Sequence, residues 1–279
     1  MIVFDEKKLA EHILATGRTP LKTYATLSLL ARYLRLQDES TATIKQQLAV
    51  FASHLLGRKY TDNIGYWIKA IDSICKKERC GQLFKCDGVG ISQTEIDRVK
   101  SIKGEQEQRL AFALLCYAKY NNIRNPQNSN WVYQDIKEIF TSARIAIPSD
   151  ARYSMLNSLL RQGVIKTSPK ITNLHIQVLI ADNGEPVYAV PEFSELGYEW
   201  RRLCGQGRFA RCKKCGKLFR QNKKNNRKYC KACADRHREQ TKRIECVGCG
   251  KWMFVSTNNT KTTLCEDCIN SRKQHPLKD

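Results

Sequence analysis

No run of about 18 apolar residues occurs anywhere in the 279-residue chain, so no stretch is long and oily enough to cross a bilayer as a helix. The opening residues, MIVFDEKKLAEHILATGRTP, place acids directly after four residues and lack the basic-then-apolar order of a signal peptide, so a cytoplasmic location is expected. Histidines number five and are scattered. No His-rich nuclease motif, phosphate-cradling Gly-Lys-Ser/Thr loop or nucleophile elbow is present. No residue is therefore nominated as catalytic, and the chain does not read as an enzyme. Carboxylates are scarce: 27 Asp and Glu stand against 48 Lys and Arg, a formal charge of +21.

Cysteine is plentiful. Thirteen cysteines in a chain read as unexported argue for a reducing compartment, and for metal binding over disulfides. Eight of them form a repeated C-x2-C … C-x2-C pattern: Cys212, Cys215, Cys230 and Cys233, then Cys246, Cys249, Cys265 and Cys268. Each C-x2-C makes a knuckle that aims two sulfurs at one point, and a hairpin is expected to return the second pair to complete a tetrahedron. Gly216 and Gly250 follow the leading pairs, where the knuckle turn needs a small residue. Phe219 and Tyr229 in the first module, and Trp252 and Phe254 in the second, are expected to supply small cores. Four thiolates close the shell of zinc, so two Zn2+ ions of structural role are expected. Four-sulfur iron would come with other cofactor machinery, and a thioredoxin-like C-x-x-C would follow a strand in a βαβ unit; neither context is found. Cys75, Cys80 and Cys86 form a further cluster in which CGQLF echoes the CGKLF of residues 215–219. They have no adjacent fourth ligand and read as free thiols, with a third metal site as the alternative.

The charge is concentrated around the first cysteine module. Residues 201–279 hold 22 basic and 6 acidic residues, a balance of +16, against +5 for residues 1–200. Two four-cysteine zinc sites at −2 each trim the whole-chain figure to about +17. The candidate phosphate-binding residues are Lys213, Lys214, Lys217, Arg220, Lys223, Lys224, Arg227 and Lys228, with Arg236 and Arg238 on a following helix. Asn222, Asn225 and Asn226 are interleaved among them. Such a surface calls for a polyanion, with nucleic acid the first candidate and DNA favoured over RNA. The basic stretch lacks the continuous apolar face of an interfacial helix, which argues against a membrane. An RNA partner would use Phe209, Phe219, Tyr229 and Trp252 for stacking, although core packing is the commoner role of such residues.

The rest of the chain reads as an α+β multidomain protein. Residues 1–79 form a helical module: a helix after Thr19-Pro20 carrying Leu27, Leu30 and Leu34, another over Thr41–Leu56 stopped by Gly57, and a third carrying Ile64, Trp67, Ile68 and Ile71. Glycine-rich residues 80–104 read as a linker. In residues 105–193, Leu110, Leu114, Tyr117 and Ala118 mark a helix, and residues 131–142 a second with Asn130 as cap. A third is capped by Ser149 and packs Tyr153, Leu156, Leu159 and Leu160 inward. A β-pattern follows, with DNGE at 182–185 as a hairpin turn. Residues 194–209 read as a second linker before the zinc modules at 210–243 and 244–279.

Three helices followed by a small sheet, joined by LLRQGVIKTS, resemble a winged helix-turn-helix. That resemblance implies base contacts from Arg152, Asn157 and Arg161 on the third helix, and phosphate contacts from Lys166 and Lys170. The alternative it implies is a protein-docking role for the winged helix, a role the N-terminal helices also suit. The segment CKKCGKLFRQNKKNNRKYCKAC resembles treble-clef and zinc-ribbon modules and is similar to CGNR-type zinc fingers, although CADR stands at 233–236. The combination resembles proteins of phages and mobile elements of low-GC bacteria, which implies a bacterial cell. The function expected is a nucleic-acid-binding regulator or accessory protein. The alternatives are a docking factor or inhibitor of a nucleic-acid enzyme, and an RNA-binding protein.

Overall fold

Helix ends in the N-terminal part are set by short polar side chains and by glycines at positive φ. In the computed structural model, which describes residues 2–77, 82–168, 175–221, 227–239, 241–257 and 263–274, α1 spans Glu6–Thr16. Asp5 caps it by accepting from the Lys8 N–H at 2.9 Å, and Gly17 at φ 67° closes it. Next come α2 (Thr23–Arg35), α3 (Thr41–Leu56), α4 (Arg58–Thr61) and α5 (Ile64–Lys77). Gly57 ends α3 as expected, and Ser40 caps its start by accepting from the Thr43 N–H. α2 begins later than Pro20. The Thr19 hydroxyl accepts from the Leu21 N–H and pairs with the Thr26 hydroxyl, holding residues 19–21 in a turn before the helix. Ile13, Leu27, Leu30, Leu34, Ile44, Leu48, Ile71 and Ile74 fill the core. On α5, Ile64 and Ile68 are exposed, because the helix turns Ile71, Ile74 and Cys75 inward.

Residues 82–104 are folded, contrary to the linker expected there. They contain β1 (Val89–Ser92) and α6 (Gln93–Ser101). Ser92 and Glu95 form a reciprocal capping box at the start of α6. The Cys86 N–H donates to the Phe4 carbonyl, and the Phe84 N–H donates to the Glu6 carboxylate at 2.8 Å, fastening this segment to the N-terminal helices.

The central element is α7 (Glu105–Arg124), buried continuously from Leu110 to Ala118. A helix apolar on every side must be covered on every side. After it come β2 (Trp131–Val132), α8 (Ile136–Ser142), α9 (Ser149–Arg161), β3 (Ile165–Thr167) and β4 (Ile176–Val178), then β5 (Pro186–Val190) and α10 (Leu196–Leu203). The neighbours of α7 include α6, β1, β2, α8, α9 and β4. The three-stranded antiparallel sheet has the order β2-β4-β3, and β5 pairs with β1 in a separate ribbon.

Several local expectations change. Residues 131–142 are a strand and a short helix whose cap is Asp135, accepting from the Lys137 and Glu138 N–H groups; Asn130 sits at φ 63° before the strand. Pro148 occupies the N-cap position of α9, so Ser149 does not cap it. Tyr153 and Leu160 face outward while Leu156 and Leu159 are buried. The DNGE segment makes no hairpin turn: its Gly184 N–H donates to the Asp182 carboxylate at 2.9 Å, and the segment joins strands of two different sheets. Buried Glu95 explains this: its carboxylate accepts from the Ser92 and Asp182 N–H groups and from Lys119 Nζ, drawing residue 182 onto the start of α6.

Residues 194–209 are not a linker throughout. Trp200 on α10 is fully buried against Phe112, ring centroids 5.2 Å apart. The chain consequently divides into two compact units, Met1–Trp200 and Arg201–Asp279, with the N-terminal helices and the middle segment sharing the first. Among the described residues, no helix is long and apolar enough to cross a membrane.

Glu6 ties the first unit together. It is 5% exposed and pairs with Arg32 at 2.6 Å and Arg124 at 3.0 Å, besides the Phe84 N–H. Burial alone would push its carboxyl up; the hydrogen bonds from Arg32 and Phe84 and the two cationic charges outweigh that and hold it below 4.5. A depressed folded pKa contributes stability above the unfolded value that is lost as pH falls through the folded one. Glu6→Gln should therefore cost the unit about 2–4 kcal/mol at pH 7. The deficit should shrink on acidification below 4.5 in urea melts; a deficit independent of pH would place its origin elsewhere.

Candidate metal centres

Each cysteine module is a short hairpin followed by a helix. In the first, β6 (Phe209–Arg211) and β7 (Leu218–Arg220) flank the leading pair, and α11 (Lys231–Glu239) carries the second. The second module repeats this with β8 (Thr241–Glu245), β9 (Trp252–Ser256) and α12 (Glu266–Gln274). The hairpin thus brackets the first pair, where it was expected to return the second. Cys230 and Cys265 stand just before their helices, and Cys233 and Cys268 lie in the first turns.

The two knuckles share their hydrogen bonds. Cys212 N–H donates to the Lys217 carbonyl and Gly216 N–H to the Cys212 carbonyl, at 2.9 and 2.8 Å. Cys246 donates to Lys251 and Gly250 to Cys246 in the same way, both at 2.9 Å. Gly216 and Gly250 adopt φ of 73° and 71°, a region costly for side chains with a Cβ. Across each module a further bond, Lys213 N–H to Lys228 O or Val247 N–H to Thr263 O, holds the approach to the second pair against the knuckle.

This framework gathers the four sulfurs of each set within 4.8 Å of one another. Cys215 and Cys230 Sγ are 3.7 Å apart, and Cys249 and Cys265 Sγ 3.6 Å. A tetrahedron of Zn–S bonds near 2.3 Å has an edge of about 3.8 Å, so the spacing fits. Burial opposes ionisation of Cys212, yet N–H groups of Cys230, Cys215 and Lys214 hold its thiol down to about 6. The Cys265 N–H leads the same effect on Cys246, also about 6. Conversely, burial and the neighbouring sulfurs push Cys233 up to about 12, and the neighbouring sulfurs with burial do so for Cys268. Four crowded thiols ionise together only around a cation, and a dication supplies that charge. Two separate four-cysteine clusters can each hold a structural zinc ion, as the spacing predicts. With all four positions taken by sulfur, the metal would supply shape and leave no place for water.

No third cluster forms among the described residues. Cys75 is buried in the helical core and Cys86 Sγ donates to the Gly88 carbonyl, while Cys80 lies outside the described residues.

The aromatic side chains break the expected pattern. Tyr229, Trp252 and Phe254 are exposed, and Phe209 and Phe219 half-buried; the small interiors are made by Leu218 and Val255 with the cysteines. Lys213, Lys214, Lys217, Arg220, Arg227, Lys228 and Arg236 are all exposed. Lys213, Lys214, Tyr229 and Cys233 line a recess of about 260 Å³. Lys223 and Lys224, with Asn222, Asn225 and Asn226, lie outside the described residues, as does Lys170; Arg238 falls on α11.

On α9, Asn157 and Arg161 are exposed and line a groove of about 640 Å³ with Lys103, Ser154, Ser158 and Gln162. Arg152 is not an outward residue: its guanidinium lies over the Phe140 ring at 5.8 Å, with a buried Nε. The exposure of Tyr153, Trp252 and Phe254 was missed, because apolar character by itself reads as core. Comparison with protein-family models, curated proteins and solved structures finds no match.

Metal analysis of purified chain should return two zinc per molecule, and Cys230→Ser should lose one. In such small modules metal binding is worth about 10–16 kcal/mol of folding. Limited proteolysis of that variant should open residues 209–239 and leave residues 1–200 resistant. Wild-type proteolysis, or zinc near zero, would refute the assignment.

Proposed function

We propose that the chain is a nucleic-acid-binding protein, a regulator or accessory factor acting on DNA. Its second unit grips the phosphate backbone, and zinc serves only to shape that grip. The observation that carries this reading is the exposed ring of lysines and arginines on the first four-cysteine scaffold. In residues 201–279, 22 cations face 6 carboxylates, so at least sixteen have no carboxylate of their own in the unit whatever the pairing. A small module at such charge repels itself unless a polyanion neutralises it. The reading assigns no catalytic residue.

Phosphate gripping predicts a steep salt dependence, about 0.9 in log affinity per log salt for each phosphate neutralised on duplex DNA. Changing Lys213, Lys214, Lys217 and Lys228 together to glutamine should flatten that slope by about two to four, with zinc content unchanged. Specific and random sequences should lose affinity alike, since phosphate contacts position without reading. An unchanged slope would transfer the charge to an acidic protein partner, the docking-factor reading.

A second contact is supported by the order helix, strand, helix, helix, strand, strand over α7–β4, with the sheet order β2-β4-β3. This order suits a winged helix with α9 as its reading helix. Asn157→Ala and Arg161→Ala should then each lower discrimination between specific and random duplexes by about 1–3 kcal/mol. Arg152→Ala should instead lower thermal stability, through its lost packing on Phe140. Discrimination unaffected by either of the first two would favour a docking role for this segment.

A further inference from the structure

The two zinc modules share a scaffold and differ in what they display. Residues 201–243 hold 17 basic and 2 acidic residues, whereas residues 244–279 hold 5 and 4. The second module is nearly neutral and carries the unit's two most exposed aromatics, Tyr229 of the first being less exposed. Along β9 the alternation runs against ordinary burial: Val255 is buried and Met253 half-buried, while Trp252 is 57% and Phe254 67% exposed. Both aromatics stand on the outer face of the β8–β9 hairpin. Phe254 lies opposite Arg243 and Trp252 opposite Glu245. The Arg243 guanidinium lies 4.5 Å from the centre of the Trp252 ring. The last cation of the basic segment is thereby brought onto the aromatic face.

We infer that this face is a stacking platform for the unpaired bases of a single-stranded nucleic acid. The inference rests on the nucleic-acid reading of the second unit and deepens it. Every base has a π face, so aromatic platforms bind single strands with little regard to sequence, and an adjacent arginine adds a cation–π contribution. A duplex hides those faces inside its stack. Trp252 and Phe254 are two residues apart on one strand, hence about 6.8 Å apart along it. Duplex nucleotides rise about 3.4 Å each. The platforms are therefore spaced for bases separated from one another, as they are in a splayed single strand. The basic module supplies the phosphate attraction immediately upstream: α11 ends at Glu239 and β8 begins at Thr241.

The test uses the zinc-loaded full chain, with labelled oligothymidylate and oligouridylate of about 15 nucleotides, within the span of known single-strand sites, and a duplex of equal length. Trp252→Ala/Phe254→Ala should weaken binding of at least one single strand about 10- to 100-fold. Duplex affinity should stay within about two-fold and the salt slope should hold, because no charge is removed. Which strand loses more identifies the source as DNA or RNA. Trp252→Phe should keep most of the affinity yet remove most of the fluorescence quenching expected on binding, since Trp252 is exposed, Trp67 and Trp131 are half-buried and Trp200 is fully buried. Two zinc per chain in each variant confirms an intact scaffold. Single-strand affinity unmoved by the double variant overturns the inference while the phosphate-gripping reading stands. An equal loss on duplex also overturns it, making the aromatics wedges between paired bases. A wild-type chain that binds none of the three probes refutes the underlying reading itself.

Discussion

The second unit depends on bonds from sulfur to metal because it has almost nothing else inside. Among its described residues the buried set is Cys212, Leu218, Cys233, Cys246 and Val255, and three of these five are ligands. Strands of three to five residues do not stand alone in water, and modules of this size cannot bury enough apolar surface to offset chain entropy. A closed shell of four thiolates replaces the core. It also frees the residues between the ligands from packing, which is why lysine, arginine and even tryptophan can occupy them facing outward.

The first unit solves the opposite problem. Its core is conventional, and its difficulty is joining many short segments. Buried carboxylates do this. Glu6 collects Arg32, Arg124 and the Phe84 N–H; Glu95 collects Lys119 with the Ser92 and Asp182 N–H groups. Glu195 pairs with Arg144, and Glu199 accepts from the Tyr188 hydroxyl at 2.6 Å. A buried carboxylate is costly unless every lone pair is answered, so each one constrains several chain segments at once. Arg32, Lys119, Arg124 and Arg144 of the first unit are engaged in this way, whereas the cations of the second have too few acids to meet.

This difference also explains what the sequence reveals. The four-cysteine sets were legible because ligand spacing is a covalent constraint that reads directly from residue numbers, and the end of α3 because Gly57 stops it. The linkers were misread because glycine and polar residues near 80–104 signal loop, while the decisive contacts are long-range. Nothing near Phe84 announces that its N–H will meet Glu6. The same holds for DNGE, a good turn signal in sequence that Glu95 instead draws onto the start of α6, between strands of different sheets. Exposed aromatics are the hardest to foresee. Trp252 and Phe254 follow the period of a strand, but periodicity gives the face and not its direction, which is set by where the sulfurs of Cys246 and Cys249 must point.

Repetition of one scaffold with two surfaces suggests how the work of the unit is divided. If the modules had the same task, their surfaces would resemble each other as their knuckle hydrogen bonds do. Instead Lys213 and Arg220 of the first stand where the second has Val247 and Phe254, and buried Leu218 is matched by exposed Trp252, although Lys217 is matched by Lys251. Charge attracts a phosphate chain from a distance but is screened by salt beyond about 10 Å and carries no preference among bases. Aromatic faces act only on contact, are insensitive to salt, and select for bases free to leave their stack. Used together they separate capture from discrimination. Under the proposed function, the first module would set how fast and how tightly a polyanion is held, and the second which form of it stays. Because four-sulfur shells able to hold zinc stand in place of a packed core, the residues between the ligands are free to differ from one module to the other.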